Sequence, residues 1–299
     1  MRIVITGAQG QLGTSLQEVL GSEDLFLMDL PQHDVTQPAV IDEITRFGPD
    51  LVIHAAAMTD VDGCELDPET AYRVNALGTQ QVALACQRAE AAMLYISTDY
   101  VFDGRQTEPY WEFDRPNPLN VYGASKLAGE WYVQTLLEKF YIVRTAWLYS
   151  RGGNNFVSKV LRLAEERPQL SMVTSEVGSP TYAPDLAAAM VQLILASAHL
   201  RTGYEGALST SPVSACDQHP LYGIYHLTNQ GRCSRYQFAQ KILEYAGKAD
   251  YPLIPIEEYP RPARVPACAE LRNFCAATLL GLTLRPWEEA LRDYFQNSP

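Results

Sequence analysis

The feature that most constrains the fold is a glycine-rich turn between an N-terminal strand and a helix. Residues 2–6 form a short apolar run with β-forming side chains, and Gly7 ends it. Glycines recur as Gly-x-x-Gly-x-x-Gly at Gly7, Gly10 and Gly13, and a helical apolar pattern begins at Leu12. Strand, glycine turn and helix together bring backbone N–H groups to a pyrophosphate. We therefore predict dinucleotide binding here, the alternative being an ordinary tight turn.

The alternation of strands and helices continues to about residue 150. Apolar runs that predict further strands stand at residues 25–28, 51–53, 93–96 and 140–145. Strands that alternate with helices predict an α/β fold with a Rossmann-like, doubly wound parallel sheet. We expect residues 1–150 to form an NAD(P)-binding domain, with later segments interleaved, and residues 151–299 to form mainly a smaller C-terminal substrate-binding domain.

The second half of the chain is less regular. It predicts helices at 154–167, 184–198, 236–246 and 287–295, strands at 170–173 and 223–227, a turn at 178–182, a loop at 201–220 and a proline-bearing stretch at 251–268.

Residues at the ends of the predicted strands are candidates for cofactor binding. Asp29 follows the second strand and lies 22 residues after Gly7, close to the spacing expected of an acid that binds the adenosine ribose. A loop carboxylate is the alternative. The run Ala55, Ala56 and Ala57 follows the third strand, where small side chains let a cofactor lie against the backbone. Simple close packing would also explain the alanines.

Tyr122 and Lys126 stand four residues apart in a predicted helix, so they share one face. A free tyrosine has a pKa of about 10, and a nearby ammonium favours the phenolate. We therefore expect Lys126 to lower the pKa of Tyr122. Thr98 follows the fourth strand on the same sheet edge, and Trp147 follows the fifth. Trp147 is either core or a platform for a substrate ring. Alone, the Tyr-Lys pair also fits a surface helix.

Composition excludes some classes of partner. The net charge of −12 argues against binding to nucleic acid or to an anionic membrane surface. We expect a cytoplasmic protein, because no leader peptide and no apolar run long enough to span a bilayer is evident. The scattered cysteines predict reduced thiols rather than disulfides or a zinc site: Cys64, Cys86, Cys216, Cys233, Cys268 and Cys275.

Taken together, these motifs resemble the extended short-chain dehydrogenase/reductases. Within that superfamily the chain resembles the dTDP-4-dehydrorhamnose reductases most closely, over essentially its whole length. The segments that carry the resemblance are 97–104 (STDYVFDG), 120–130 (NVYGASKLAGE), 144–149 (RTAWLY), 154–156 (NNF), 180–186 (PTYAPDL) and 284–291 (LRPWEEAL).

The resemblance implies specific roles. The positions that match the catalytic set are Tyr122 as the acid/base, Lys126 and Thr98. Those that match substrate contacts are Thr98, Asp99 and Trp147. Those that match cofactor contacts are Gly10, Gln11, Leu12, Asp29, Asp34, Val35, Ala55, Ala56 and Ala57, besides Gly7, Gly13, Tyr122 and Lys126.

The implied reaction is the reduction by NADPH or NADH of the C4 keto group of dTDP-4-dehydro-6-deoxy-L-mannose to dTDP-L-rhamnose, in nucleotide-sugar and cell-surface polysaccharide biosynthesis. The resemblance is compatible with a homodimer. Some family members use Mg²⁺ at a dimer contact, but the sequence does not place metal ligands. The alternatives are a sugar-nucleotide epimerase or another reductase of the superfamily, and a non-enzymatic NAD-binding regulatory subunit.

Two departures from the family pattern bear on the site. Ser175 and Glu176 stand where the family usually has Asp-Gln, which concerns the substrate cleft. Leu30 replaces the arginine that often follows the ribose-binding acid, which concerns the choice between NADP and NAD. Because Asp29 has no nearby arginine in the sequence, we expect NADH to be accepted as well as NADPH.

Overall fold

The computed structural model describes residues 1–202 and 221–296. Its strands are β1 Arg2–Thr6, β2 Asp24–Met28, β3 Leu51–His54, β4 Ala92–Thr98, β5 Phe140–Thr145, β6 Leu148–Tyr149, β7 Leu170–Val173, β8 Val177–Gly178, β9 Thr181–Tyr182, β10 Gly223–His226, β11 Cys233–Ser234 and β12 Leu253–Ile256. Its α-helices are α1 Gln11–Val19, α2 Ala39–Phe47, α3 Val61–Leu66, α4 Pro68–Tyr72, α5 Thr79–Ala89, α6 Val121–Leu136, α7 Phe156–Glu166, α8 Ala183–Thr202, α9 Arg235–Tyr245, α10 Phe274–Leu280 and α11 Trp287–Gln296.

A six-stranded sheet is the centre of the fold. Its strand order is β2-β1-β3-β4-β5-β10, and every pair in it is parallel. The order reverses direction between β1 and β3. In open parallel sheets the crevice for a ligand forms at that reversal, beyond the carboxyl ends of the strands. The predicted doubly wound sheet is thus confirmed.

Helices cover both faces of this sheet. Ile3 and Ile5 of β1 point to the face covered by α1 and α8, whereas Val4 points to the face covered by α2 and α5. All three side chains are completely buried. Because both faces are covered, the strands read as continuous apolar runs rather than as alternating ones.

Segments from the second half of the chain also join the central sheet. The strand β10 pairs with β5, and the helix α8 packs on α1. A separate apolar cluster joins α7, α9 and α11 around Phe238. The division into domains at residue 150 stays a prediction.

Two local predictions need correction, and one helix is missing from the sequence prediction. The apolar positions between Ala71 and Ala85 are typical of one long helix, but a stretch of wider π-helical turns, Arg73–Gly78, separates α4 from α5. Within that stretch the side chain of Asn75 bonds both backbone groups of Met58, which sequence periodicity does not reveal. The predicted turn at 178–182 contains parts of β8 and β9, and α10 was not predicted.

Residues 203–220 lie outside the described residues, and they include Cys216 and most of the predicted loop at 201–220. The five cysteines that are described all carry free thiols. In the two described stretches, no helix has the length and apolar character needed to cross a membrane.

Candidate active site

One cleft of about 1340 Å³ lies at the carboxyl edge of the sheet. It is lined by every residue that the sequence analysis selected for the site: Gly7, Gly10, Gln11, Leu12, Gly13, Asp29, Asp34, Val35, Ala55, Ala56, Ala57, Thr98, Asp99, Tyr122, Lys126 and Trp147. Residues from six separate parts of the chain therefore share a single cavity.

The glycine turn forms the floor of one end of the cleft. Gly7 has a φ of +70°, and a Cβ there would lie 2.7 Å from the backbone nitrogen of Ala56. At Gly13 a Cβ would lie 2.2 Å from the carbonyl oxygen of Gly7. Glycine is thus required for the turn to close against β3. Gly10 precedes α1 and no side chain caps the helix, so its first N–H groups are open to a phosphate.

The ribose-binding candidate Asp29 is held rigidly at the end of β2. One of its carboxylate oxygens accepts a hydrogen bond from the backbone N–H of Gln9 (2.7 Å), and the other accepts one from Leu30 (2.8 Å). Asp34 bonds within its own turn, through the backbone and hydroxyl of Thr36, and these bonds lower the pKa of Asp34. Its carboxylate is therefore engaged locally.

Gln11 joins the glycine turn to the other side of the cleft. Its side-chain oxygen accepts hydrogen bonds from the Ser150 hydroxyl (3.1 Å) and from the Asn155 amide (3.0 Å). Asn155 also caps α7. The first turn of α1 and the N-terminus of α7 are thereby fixed relative to each other.

Thr98 and Asp99 end β4 inside the cleft. The Thr98 hydroxyl donates to Asp99 Oδ1 at 2.9 Å and accepts from the Tyr100 N–H at 3.1 Å. Burial raises the pKa of Asp99 to about 7. Its second oxygen, Oδ2, is buried and bonds to none of the described residues. An acceptor without a partner is costly in a protein interior, so this oxygen is available to a ligand hydroxyl.

Tyr122 and Lys126 lie on the face of α6 that closes the cleft. Burial raises the pKa of Tyr122, and a hydrogen bond with Thr98 offsets part of that rise. Lys126 places its ammonium 4.2 Å from the centre of the Tyr95 ring. Burial lowers the pKa of Lys126 to about 7, against the opposing effect of Glu130.

In the protein alone the net shift of the Tyr122 pKa is upward, because burial has the largest effect, whereas the sequence led us to expect a lowering by Lys126. Both groups lose hydration in the same cleft, and desolvation disfavours the charged form of each. Lys126 therefore gives up its proton well before the phenol would ionise. The sequence showed the spacing of the two residues but not their burial.

The Trp147 ring contacts the guanidinium group of Arg235 and also lines the cleft. Its backbone has a φ of +44°, which few residues other than glycine adopt. The guanidinium carbon of Arg235 lies 3.5 Å from the centre of the indole ring. Gly178 packs against the same ring, and a Cβ at Gly178 would lie 2.6 Å from Trp147 Cε2. One ring face is therefore already covered by an arginine.

The sequence analysis missed the two arginines of the far end of the cleft. Arg235 begins α9, and Arg261 lies in the proline-bearing stretch that had no periodic pattern. Both line the cleft, as do Glu176 and Asp62. Only the tertiary fold brings these segments together, so no local motif could have identified them.

In the part of the chain that the structure describes, no group of three or more His, Cys, Asp or Glu side chains could hold a metal ion. The expectation of Mg²⁺ gains no support from these residues.

The fold and the cleft define an extended short-chain dehydrogenase/reductase. A family profile described as "RmlD substrate binding domain" matches residues 1–298. The chain is 38% identical to the dTDP-4-dehydrorhamnose reductase of Aggregatibacter actinomycetemcomitans, over 98% of this chain and 97% of that protein. It is 37% identical to the spore coat polysaccharide biosynthesis protein SpsK of Bacillus subtilis, over 99% of this chain and 97% of that protein.

A solved structure agrees with these relatives. The dTDP-4-dehydrorhamnose reductase of Bacillus anthracis, in complex with NADP, superposes with a TM-score of 0.88 at 38% identity, and the match covers 99% of each chain. This chain belongs to the dTDP-4-dehydrorhamnose reductase family of NAD(P)-dependent oxidoreductases. The family predicted from the sequence is confirmed.

The burial of Lys126 predicts a dependence of stability on pH. In the unfolded chain a lysine has a pKa of about 10.4, so between pH 7 and 10 the unfolded state binds more protons and stability rises with pH. Below pH 7 both states carry the proton, and the full cost of burying the ammonium is present. We expect Lys126→Met to be more stable than the parent at pH 6, by an advantage that shrinks by about 2 kcal/mol at pH 8.5.

Urea unfolding at the two pH values measures this change. The exposed Lys159 on the rim of the same cleft gives a matched control, because Lys159→Met removes a charge that is already hydrated. A stability difference for Lys126→Met that does not change with pH would contradict the shifted pKa.

Proposed function

We propose that this chain reduces the C4 keto group of dTDP-4-dehydro-6-deoxy-L-mannose to dTDP-L-rhamnose, with NADPH or NADH as the reductant. The observation that carries the proposal is that Thr98, Tyr122 and Lys126 face the cleft that the glycine turn also lines. Two elements packed against each other, β4 and α6, supply the three side chains. The names of the relatives support this substrate and a place in polysaccharide biosynthesis.

The glycine-turn end of the cleft fits a dinucleotide. The uncapped start of α1 offers N–H groups for the pyrophosphate, and Asp29 offers carboxylate oxygens for the adenosine ribose. Ala55 and Ala56 leave the floor of the cleft without bulk beside Gly7. When bound, the reduced nicotinamide supplies the hydride for the C4 carbon of the sugar.

Tyr122 acts as the general acid in this proposal and gives its proton to the oxygen at C4. Its high pKa in the protein alone keeps the phenol protonated at neutral pH, as an acid requires. The Thr98 hydroxyl, which lies beside that phenol, would turn its single proton from Asp99 Oδ1 to the same oxygen and so polarise the carbonyl. Lys126 holds the nicotinamide ribose and, when protonated, stabilises the negative charge that develops as the proton leaves.

Asp99 and Trp147 are proposed to contact the sugar. The free Oδ2 of Asp99 would bond a sugar hydroxyl, in place of the hydrogen bond that it lacks within the described chain. Trp147 would contact the substrate beside Arg235, whose guanidinium already covers one face of the ring.

The far end of the cleft suits a diphosphate. Arg235 and Arg261 are positioned there by firm contacts, Arg235 on Trp147 and Arg261 through a 3.0 Å hydrogen bond to Asp62. Guanidinium groups bind phosphate oxygens well because they present several donors in a fixed plane. These two guanidinium groups, which lie beside the carboxylates of Glu176 and Asp62, are the cations that a chain of net charge −12 offers to an anionic substrate here.

Two alternatives differ from this proposal in their redox balance. An epimerase returns its hydride and consumes no NAD(P)H over a full cycle, and a regulatory subunit has no turnover. The complete set of Thr98, Tyr122 and Lys126 favours an enzyme. A homodimer is also proposed on the resemblance alone.

Turnover of a 4-keto sugar nucleotide tests the proposal. We expect the purified chain to oxidise one NAD(P)H for each dTDP-4-dehydro-6-deoxy-L-mannose consumed. Tyr122→Phe should lower kcat by about 10²- to 10⁴-fold, because it removes the general acid, while cofactor binding stays nearly unchanged. Measuring NAD(P)H oxidation and dTDP-L-rhamnose formation in parallel checks both points. Near-full turnover by Tyr122→Phe, or product formed without net oxidation, would refute the mechanism.

The surroundings of Asp29 predict that NADH is a good reductant. A 2′-phosphate would approach this carboxylate, and the next residue is Leu30, whose side chain is 61% exposed and carries no charge. The variant Leu30→Arg should raise kcat/KM for NADPH by about tenfold, through a new charge-assisted contact, and change that for NADH little.

Steady-state kinetics with both cofactors measures the effect. Leu27→Arg is a matched control, because Leu27 is also exposed and lies nearby on β2 but does not line the cleft. A strict requirement for NADPH in the parent chain would show that our reading of Asp29 is wrong.

A further inference from the structure

Glu176 brings a negative charge to the end of the cleft that should bind a diphosphate. The strands β8 and β11 pair antiparallel, with Ser234 opposite Val177. This register sets Glu176, just before β8, opposite Arg235, just after β11. The backbone N–H of Arg235 donates to the carbonyl oxygen of Glu176 at 3.1 Å, so the two residues are held as a cross-strand pair.

The carboxylate of Glu176 lies between both arginines. One oxygen is 3.7 Å from Nε of Arg235, and the other is 4.0 Å from Nη1 of Arg261. These separations are longer than hydrogen bonds. The side chains of Glu176, Arg235 and Arg261 are 14%, 18% and 23% exposed, so water screens their charges only in part.

Each arginine has a second contact besides Glu176. The guanidinium carbon of Arg235 lies 3.5 Å from the centre of the Trp147 ring, and Arg261 donates to Asp62 at 3.0 Å. Glu176 therefore affects the charge of this region more than it affects the positions of the two arginines. A ligand with a diphosphate would compete with that charge for the same two cations.

We propose that Glu176 weakens the binding of the substrate's diphosphate by competing with it for Arg235 and Arg261. The inference rests on the proposed function, because it takes a nucleoside diphosphate as the ligand of this end of the cleft. A bound diphosphate has to share its cations with the carboxylate of Glu176, and the two like charges repel each other. A moderate affinity for the nucleotide sugar, and easy release of the product, follow from this arrangement.

Calorimetric titration of dTDP into the protein with saturating NADPH tests the inference. Glu176→Gln keeps the size of the side chain and removes the charge, and we expect its Kd for dTDP to fall by about tenfold. The gain should shrink at 0.5 M salt, since added ions screen the repulsion. Thymidine lacks the diphosphate, so its affinity should be the same in the parent and the variant.

A matched control separates local from overall charge. Glu258→Gln removes the same charge from an exposed residue that does not line the cleft, and it should leave the Kd for dTDP unchanged. An unchanged or weaker affinity in Glu176→Gln would overturn the inference and show that Glu176 serves to hold the arginines.

The same titration distinguishes failure of the inference from failure of the proposed function. If the parent binds dTDP and Glu176→Gln binds it no more tightly, only the inference fails. If neither protein binds dTDP while both bind NADPH, the nucleotide-sugar assignment fails and the inference fails with it.

Discussion

The buried ion pair between Glu130 and Arg144 holds helix α6, which carries Tyr122 and Lys126, against the neighbouring strands β4 and β5. Arg144 Nε and Nη2 donate to the two carboxylate oxygens of Glu130 at 2.9 and 2.7 Å, and the Ser97 hydroxyl donates to one of them at 2.5 Å. Glu130 is fully buried, and Arg144 is 2% exposed. Removing one partner of such a pair leaves a buried charge, at a cost of about 3–5 kcal/mol. The contact joins α6 to the end of β4, next to Thr98.

Close packing at two glycines also holds α6 against β4 and the turn that follows it. A Cβ at Gly123 would lie 2.1 Å from the carbonyl oxygen of Tyr100, and one at Gly129 would lie 2.3 Å from the hydroxyl of Tyr95. The helix α6 thus rests directly on β4 and the turn that follows it. This proximity brings Tyr122 against Thr98, and it also buries Lys126 enough to shift its pKa. The close packing of α6 on β4 therefore sets both the position of Tyr122 and the pKa of Lys126.

The sheet and one end of the cleft were predictable because local patterns encode them. Apolar runs marked the strands, and parallel strands place their carboxyl ends on one edge, so Asp29, Ala55 and Thr98 had to share that edge. Arg235 and Arg261 were not predictable, because only the packing of α9 and a proline-bearing segment around Trp147 brings them to the cleft. The π-helical turns at Arg73–Gly78 were not predictable for a similar reason, because a tertiary contact of Asn75 accompanies them.

A double-mutant cycle on the rate of reduction tests whether Thr98 and Tyr122 act together on one carbonyl oxygen. Thr98→Val, Tyr122→Phe and the double variant are compared in single-turnover reduction of dTDP-4-dehydro-6-deoxy-L-mannose. Groups that act as a unit give non-additive losses. We expect the double variant to be at most a few-fold slower than Tyr122→Phe alone. Losses that multiply in the double variant would show that the two residues act independently, and would rule out their joint action on the carbonyl oxygen.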